Sequence, residues 1–456
     1  MPTIYIDCSS TYRNPINTGI QRVVRNIARH ASAAAAHHGY NMRLVASRHG
    51  EFSEIPLEQF LPQDTGAIWQ PSTRRRLLLP LLSSVERLRN RLASLSPSPK
   101  WKDFVNAPRY RFGLAQCVVY PFSLPLVLVR HVRKKNTGGE PARMWAPTSD
   151  LSSDILLLAD STWDVADIWP AASRFRQQGG YVAAVIYDLI PLSHPQFFQP
   201  SVVSAFTKWL NKSTAYVDFY TCISSSTETA LRAFLHDARE SGQSTYFHLG
   251  SDLDLIPDEG MPSDKVKRIV AGGEPVFLAV GSLEPRKNLA FVLDAFERVW
   301  LRDSRVKLVL VGHNTWKVEA LIERIEHHHL LDASLFWVRD ASDTDLEYLY
   351  QNATALVFAS IIEGFGLPVV EAMQRGLPVL CSDLPVLREL ADGKAHFFGL
   401  ESGDELVAAV TTSAAAMRQA GTPPRMIHEW MNWRESCDQL LAKVTAAHRD
   451  RLEQGE

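Results

Sequence analysis

Apolar residues recur along the chain with two alternating spacings. Short apolar runs, often β-branched, predict buried strands, and stretches with apolar positions every three or four residues predict helices. In the N-terminal half, strands are predicted at 3–9, 42–47, 154–160, 181–190, 217–224 and 244–252, and helices at 20–35 and 201–216. In the C-terminal half, strands at 274–282, 307–312, 334–339, 353–361 and 377–383 alternate with helices at 288–300, 316–329, 343–352, 368–376 and 403–420, before a final helix at 433–454.

This alternation predicts parallel sheets with right-handed crossovers in both halves. An acidic segment with Pro and Gly at 251–265 separates the halves and is typical of a linker. We therefore predict an α/β fold of two doubly wound parallel-sheet domains, 1–255 and 256–432, which face each other across a cleft. The length of 456 residues fits two or three domains.

One segment departs from the average composition. The whole chain is 46% hydrophobic and 21% charged with a net charge of −2, which is ordinary for a globular protein. Residues 71–147, however, carry 15 Lys and Arg against 3 Asp and Glu, so this basic insert holds +12 and the remainder −14. The insert interrupts the alternation of strands and helices.

Cysteine usage and the N-terminus bear on the compartment. The five cysteines are scattered, with no CxxC and no zinc-type cluster, which favours a reducing cytosol. The start, MPTIYIDCSS, lacks the basic and then apolar pattern of a signal peptide. No apolar run reaches the 18 or so residues of a membrane-spanning helix. We expect a cytoplasmic protein.

The first candidate site is IIEGFGLPVVEAM (361–373), in which Glu363 and Glu371 lie eight positions apart. A predicted strand precedes the Gly-Phe-Gly turn, and a helix is predicted to begin at Pro368 and to end before Gly376. Such a turn leaves backbone N–H groups and the positive helix end free for an anion. Both carboxylates are expected to border one ligand at the strand ends. The alternative is structural, with Glu371 favouring the helix dipole from the first turn.

The second candidate is VGSLEPRKNL (280–289). Gly281 and Ser282 end the first strand of the second half, and Arg286 and Lys287 precede the next helix. Two cations at the carboxyl end of a strand suit adjacent phosphates. The alternative is a solvated loop with ordinary surface charges.

The third candidate is NPINTGIQRVV (14–24), which places Gly19 at a helix start. A glycine there lets a substrate approach the backbone closely. The pattern is not GxGxxG and lacks an acidic residue at the dinucleotide spacing, so NAD binding is disfavoured. The alternative is a plain βα turn.

Together these motifs resemble the retaining glycosyltransferases of family 4, which have the GT-B fold of two Rossmann-like domains. The matching stretches are TGIQRVVRNI, YDLIPLSHP (187–195), VGSLEPRKNL, LVLVGHNTWK (308–317), 363–390 and WRESCDQLL (433–441). They extend over nearly the whole chain except about 50–147. The most similar branch builds bacterial O-antigen and exopolysaccharide units, often from mannosyl or rhamnosyl donors. The resemblance also implies that 433–456 crosses back to the first domain.

The resemblance implies a role for each motif. Glu363 would contact the donor sugar at its reacting face, and Glu371 the ribose hydroxyls. Arg286 and Lys287 would neutralise the diphosphate leaving group. The other donor-binding positions would be Gly19, Gly281, Ser282, Gly364, Phe365, Gly366 and Leu367.

Two departures from the family pattern concern the acceptor side and the phosphate side. Many members have an Arg where Ser282 stands, so Arg286 is expected to supply that cation. Many also have a His where Tyr187 precedes Asp188. Tyr187 and Asp188 are the acceptor-side candidates, and Asp188 either orients the acceptor hydroxyl or caps its loop.

The implied chemistry is retaining transfer without a covalent intermediate, a metal or another cofactor. Asp252-Leu253-Asp254 resembles a metal-binding DxD, but it falls in the linker. The His327-His328-His329 run is expected to be a solvated helix end. Rival functions are another GT-B nucleotide-sugar enzyme, of epimerase or phosphorylase type, or a non-catalytic nucleotide-sugar-binding scaffold.

The basic insert suggests a membrane partner. Residues 71–95 pair leucines with arginines at helical spacing, and the apolar run 113–129 is followed by RHVRKK. We predict peripheral association of 71–135 with the anionic inner face of the cytoplasmic membrane, where an acceptor on a polyprenyl diphosphate would be met. The alternative is an irregular insert that packs on the first domain. A glycan acceptor remains open, and no nucleic-acid partner is expected.

Overall fold

The structure is a computed structural model that describes residues 1–13, 19–61, 150–237, 243–251, 261–422 and 425–454. The described residues belong to one compact unit. The predicted membrane segment 71–135, the linker DxD at 252–254 and the predicted domain boundary at 255/256 lie outside them.

In this described part, seven strands form the first sheet in the order β3-β2-β1-β4-β5-β6-β7. Their bounds are β1 Thr3–Asp7, β2 Asn41–Arg48, β3 Glu51–Ile55, β4 Ile155–Leu158, β5 Tyr181–Ile186, β6 Phe219–Cys222 and β7 Gln243–Tyr246. All neighbours are parallel except β2 and β3. The sheet is thus parallel, as predicted, except at this edge, where the strand β3 was not predicted. The cause of the antiparallel pairing is a two-residue turn, His49 and Gly50 at φ 56° and 76°. Positive φ at both central residues is the hairpin geometry that reverses a strand.

Helices cover both faces of the first sheet, as expected for a doubly wound fold. They are α1 Ser9–Arg13, α2 Gly19–His37, α3 Leu57–Phe60, α4 Ile168–Gln177, α5 Ile190–Ser193, α6 Pro200–Ser213 and α7 Ser225–Asp237, with 3-10 turns at Thr162–Asp164 and Pro195–Phe197. The helix α2 buries Val23, Val24 and Ile27 at helical spacing against the sheet.

The second sheet has six described strands, all parallel, in the order β10-β9-β8-β11-β12-β13. The strands are β8 Val276–Val280, β9 Lys307–Val311, β10 Leu335–Val338, β11 Ala355–Phe358, β12 Val379–Ser382 and β13 His396–Phe398. The accompanying helices are α8 Asp264–Val270, α9 Leu289–Trp300, α10 Glu319–Glu326, α11 Asp343–Asn352, α12 Leu367–Gln374, α13 Pro385–Ala391 and α14 Asp404–Ala420, with a 3-10 turn at Pro285–Lys287.

The helix α12 differs in detail from its prediction. It begins at Leu367, so Pro368 occupies the second helical position and Glu371 the fifth, beyond the first turn. Glu371 is therefore not placed to favour the helix dipole from the first turn. Gly376 follows the helix at φ 67°. This is the left-handed conformation expected after a helix end.

The final helix, α15 Trp433–Gln454, packs against α2 of the first domain. Its apolar face is buried, with Trp433, Leu440, Leu441 and Val444 at 0–2% exposure. The Cys437 thiol contacts the Ile27 carbonyl oxygen at 3.7 Å. Across the parts of the chain that the structure describes, no helix combines the length and apolar character needed to cross a membrane.

Each sheet has one point where its strand order reverses direction. In the first sheet it lies between β1 and β4, and in the second between β8 and β11. Ligands of open α/β sheets bind outside the carboxyl ends of the strands at such a point. The loops after these four strands are therefore where a site is expected.

Candidate active site

The loops after β8 and β11 meet at the switch point of the second sheet. Gly281 leaves β8 at φ 144°, and the 3-10 turn that follows carries Arg286 and Lys287. Such a positive φ favours glycine. The Ile361 N–H donates to the Arg286 carbonyl oxygen at 2.8 Å and joins the two loops. The two motifs lie far apart in the sequence, and the structure brings them together.

The Glu363 carboxylate lies between both predicted cations. Arg286 Nη1 is 2.7 Å from Oε2, and Lys287 Nζ donates to Oε1. The Ser360 hydroxyl donates to the same Oε1 at 2.7 Å. Arg286 also pairs with Glu284, Nη2 to Oε1 at 2.9 Å, so its two terminal nitrogens contact two carboxylates.

This cluster sets the ionisation of Glu363. The side chain is only 7% exposed, and burial alone would raise its pKa. The Arg286 and Lys287 charges outweigh burial and hold the pKa of Glu363 at about 2. Burial lowers the pKa of Lys287, and the Glu363 charge opposes that effect. Glu363 is thus an anion at neutral pH.

Glu371 lies deeper, at 2% exposure, and both of its oxygens have partners. Tyr350 donates to Oε2 at 2.8 Å, and Arg22 Nη1 lies 2.6 Å from Oε1. Arg22 comes from the first turn of α2 in the other domain, so this ion pair spans the two sheets. Arg22 was not among the residues predicted from the sequence. Its position three residues after Gly19, at the start of a helix, was the one feature that could have indicated it.

The Gly-Phe-Gly turn is held against the first domain. The Gly364 carbonyl oxygen accepts hydrogen bonds from the Ser224 hydroxyl at 2.8 Å and the Thr227 hydroxyl at 3.2 Å. A Cβ on Gly364 would lie 2.3 Å from the Tyr187 carbonyl oxygen, so only glycine fits this approach. Phe365 is buried and packs edge-on against Trp430, with ring centroids 6.1 Å apart.

Glu389 of α13 caps a helix of the opposite domain. Its carboxylate accepts from the Ser225 and Ser226 backbone N–H groups, at 2.8 and 3.1 Å, at the start of α7. His248 Nε2 lies 2.7 Å from the same carboxylate. Burial alone would raise the pKa of Glu389, but these hydrogen bonds, led by that of His248, lower it. Neither Glu389 nor His248 was predicted from the sequence.

The two acceptor-side candidates lie beside this turn. The Tyr187 hydroxyl donates to the Ala159 carbonyl oxygen at 2.6 Å. Asp188 Oδ1 accepts from the Ile190 N–H at 3.0 Å, which is the loop-capping contact. Burial raises the pKa of Asp188, and the Arg286 charge partly offsets it. A role for Asp188 towards an acceptor hydroxyl stays a prediction.

Gly19 and Ser282 occupy open positions. Gly19 is the first residue of α2 and is exposed, and a Cβ there would meet no described atom within 4 Å. Ser282 is exposed beside Gly281. Their roles in donor binding stay predictions.

The histidine run at 327–329 is only partly solvated, so the expectation of a solvated helix end was wrong for His328. The His328 side chain is 6% exposed, with Nε2 3.3 Å from Glu297 Oε1. The centroid of its ring lies 5.3 Å from that of Trp300. Burial lowers the pKa of His328.

Parts of this chain are similar in sequence to known glycosyltransferases. Residues 261–411 match the family model described as glycosyl transferases group 1. The serotype-specific mannosyltransferase WbdA of Escherichia coli is 34% identical over 303 residues, which cover 64% of this chain and 37% of WbdA. The O-antigen chain mannosyltransferase B of Escherichia coli is 37% identical over 117 residues, 25% of this chain and 30% of that protein. The chain thus spans about a third of the length of these curated relatives.

A solved structure extends the likeness over both sheets. The crystal structure of Anabaena HepE in complex with UDP and glucose aligns with 100% of this chain and 99% of that chain, with a TM-score of 0.52 at 13% identity. The predicted α/β fold of two facing Rossmann-like domains is confirmed.

Proposed function

We propose that this chain, whose residues 261–411 match the group 1 glycosyl transferases, moves a hexose from a nucleotide-sugar donor to an acceptor in surface-polysaccharide assembly, with retention of configuration. A mannose-type sugar is favoured because the relatives are named mannosyltransferases. The observation that carries the proposal is the cluster of Glu363, Arg286 and Lys287 at the switch point of the second sheet.

The cluster suits the reacting end of the donor. Arg286 and Lys287 would stabilise the charge that grows on the diphosphate as the sugar leaves. Glu363, kept ionised by those cations, would lie beside the positive charge developing at the anomeric carbon. Without these cations the Glu363 carboxylate would repel the donor diphosphate. Arg286 and Lys287 would therefore offset the negative charge of both groups.

The remaining contacts suit the other parts of the donor. The backbone of 364–367 would hold the sugar and distal phosphate, and Gly281 and Ser282 the phosphate side from the second domain. Glu371, oriented by Tyr350, would accept from the ribose hydroxyls. Gly19 would approach the phosphates from the first domain.

The proposed mechanism needs no covalent intermediate, metal or other cofactor. A diphosphate oxygen takes the acceptor proton on the face that the acceptor attacks, while the bond to the leaving group breaks. Arg286 and Lys287 supply the charge stabilisation that a metal supplies elsewhere. Approach of the two domains excludes water that would hydrolyse the donor.

The test is a panel of GDP-, UDP- and dTDP-sugars offered to the purified chain with and without a mannosylated acceptor. Transfer from a GDP-linked mannose-type donor, with the product anomer assigned by NMR, is the expected result. An inverted product would overturn retention. A free sugar formed without acceptor would indicate an epimerase-type enzyme, and binding without any turnover across the panel would indicate a scaffold.

We further propose that the acceptor is carried on a polyprenyl diphosphate and that 71–135 binds the inner face of the cytoplasmic membrane. The support is the charge of +12 in the basic insert. Each Lys or Arg near an anionic surface contributes about 1 kcal/mol to such binding. Wild type should sediment with anionic liposomes at low salt and be released at high salt. Changing Arg74, Arg75, Arg76, Arg87, Arg89 and Arg91 to Ser should abolish sedimentation. Equal sedimentation of the variant would make the insert a packing element.

A further inference from the structure

The C-terminal end of α2 carries two histidines far from the donor cleft. The helix has 19 residues, and His37 is the last of them. At about 1.5 Å of rise per residue, its last turn lies on the order of 20 Å from Arg22. The chain then turns through Gly39 at φ 84°. The rings of His37 and His38 lie side by side, with centroids 4.8 Å apart.

The helix α15 supplies a carboxylate to this pair. Asp438 Oδ1 lies 2.9 Å from His37 Nδ1 and 3.1 Å from His38 Nε2, so one oxygen faces both rings. The three ligand atoms all lie within 4.8 Å of one another. The His37 side chain is 70% exposed and that of Asp438 39%, so the cluster is open to solvent, whereas His38 is 16% exposed.

These distances are close to those of a metal centre. Zinc binds nitrogen and oxygen ligands at about 2.0–2.2 Å, which places adjacent ligand atoms roughly 3 Å apart. The two N···O distances already have that value. An ion between the rings would replace the shared hydrogen bonds, and only the two imidazoles need to approach each other.

The ligand types select the class of ion. Two imidazoles and one carboxylate suit Zn²⁺ and its first-row neighbours, whereas Mg²⁺ and Ca²⁺ require oxygen ligands. Three protein ligands leave a coordination position for water.

We propose that His37, His38 and Asp438 form a binding site for a divalent transition metal, Zn²⁺ in the first instance, that fastens α15 to α2. The ion would join segments about 400 positions apart in the sequence and strengthen the packing that completes the first domain. The proposal is independent of the proposed glycosyltransfer, because the site lies at the opposite end of α2 from Glu371 and its partner Arg22.

The test uses the full chain without an affinity tag, stripped of metal by a chelator. Excess Zn²⁺ should raise Tm by roughly 2–4 °C, because an ion that binds only the folded state stabilises it by mass action. Calorimetric titration should show one Zn²⁺ bound per cluster. Mg²⁺ at the same concentration should leave Tm unchanged.

The variant His37→Gln with His38→Gln keeps hydrogen-bond donors towards Asp438 and removes both imidazole ligands. It should lose the Zn²⁺-dependent rise in Tm. The matched control is His313→Gln, since His313 faces the single carboxylate of Asp340 at 3.6 Å and offers one imidazole only. That control should respond to Zn²⁺ as wild type does.

Three results would overturn the proposal: no rise in Tm of the wild type, an equal rise in the double variant, or an equal rise with Mg²⁺. Each of these results would mean that His37, His38 and Asp438 form hydrogen bonds but no metal site. If the double variant fails to fold, Asp438→Asn keeps the acceptor oxygen but is a weak ligand, and a retained Zn²⁺ response there counts against the site.

Discussion

The switch points of the two sheets share a topology and differ in charge. At the second, the Glu363 carboxylate has Arg286 and Lys287 as partners and stays ionised. At the first, the ends of β1 and β4 bring Asp7 and Asp160 together, both at most 2% exposed. Strand order thus fixes where a ligand can bind, and the neighbouring charges decide which kind it can be.

Burial raises the carboxyl pKa at both switch points, but the net shift is upward only at the acidic one. Burial raises the pKa of Asp7 well above its usual value, and the Asp160 charge raises it further. Asp7 Oδ2 has no hydrogen-bond partner among the described residues, whereas Asp160 accepts from the Thr11 and Ser161 N–H groups at 2.6 and 2.8 Å. The proposal for the donor therefore rests on the second switch point, where Arg286 and Lys287 lie.

The sharpest way to break the comparison is Glu363→Ala. Turnover should fall roughly 100-fold or more, the scale for removing a preorganised charge at a reacting centre. Binding of nucleoside diphosphate should persist, because Arg286 and Lys287 remain. Steady-state kinetics and thermal shift with GDP separate the two effects. Turnover close to that of wild type would remove Glu363 from the reacting centre.

The next largest effect is expected for the cations. Arg286→Ala and Lys287→Ala should each lower kcat as well as donor affinity, by roughly 10- to 100-fold in kcat/KM, since hydrogen bonds to charged groups are worth about 1.5–3 kcal/mol. The control is Arg298→Ala, which breaks the half-exposed pair with Asp404 on the same domain. A change in KM alone would mean that the cations bind the ground state and transition state equally.

A smaller effect should follow from Arg22→Ala. The variant removes one of two partners of Glu371, so the donor KM should rise about 3- to 10-fold with kcat little changed, the range of a single net hydrogen bond. Arg22→Lys should restore part of the loss. Arg43→Ala, which breaks the exposed pair with Glu54 on the first domain, is the matched control. A fall in kcat with unchanged KM would contradict the role given to Glu371.

The smallest effect concerns pH and stability, and it has opposite signs at the two switch points. The pKa of Glu363 falls from 4.5 to about 2 on folding. Its contribution to stability is therefore present above the unfolded pKa and is lost as the pH falls towards the folded one. The pKa of Asp7 is raised above 3.8, so its contribution is lost as the pH rises.

The variant Asp7→Asn isolates the second effect. It should match or exceed the wild-type Tm at neutral pH, with a difference that grows as the pH rises above 3.8, because it removes a buried group that must ionise. The exposed variant Asp404→Asn should instead lose Tm relative to wild type as the pH rises. Arg298 lowers the pKa of Asp404, so the folded protein favours the ionised carboxylate that this variant removes. Calorimetry across pH measures both. A Tm difference that shrinks with rising pH would show that Asp7 is stabilised as an anion.

Local sequence patterns were enough to predict much of the fold. The predicted bounds 343–352 and 433–454 are those of α11 and α15, because caps and helical periodicity are local signals. Except at β2, the predicted strands are longer than the observed ones, because the apolar runs from which they were predicted extend beyond the residues that pair in the sheets. The edge strand β3 was missed although the His49-Gly50 turn could have indicated a hairpin.

The candidate site was likewise predicted only where local sequence patterns indicate it. Glu363, Arg286 and Lys287 were predicted from motifs that each lie on one loop. The contacts of Arg22 with Glu371, of Ser224 with Gly364, and of Glu389 with the start of α7 join residues 140 or more positions apart. Periodicity and spacing carry no information about such pairs, because they depend on how the two sheets approach each other.

The docking of α15 on α2 has a consequence for the order of assembly during synthesis. The buried face of the first domain is covered by residues 433–454, which a ribosome makes only after the whole second sheet. We therefore expect the second domain to mature first and the first domain to wait, with its α2 face open to chaperones. Protease should cut α2 in nascent chains stalled before residue 433 and spare it in longer ones. Protection in the shorter chains would show that the first domain matures without its last helix.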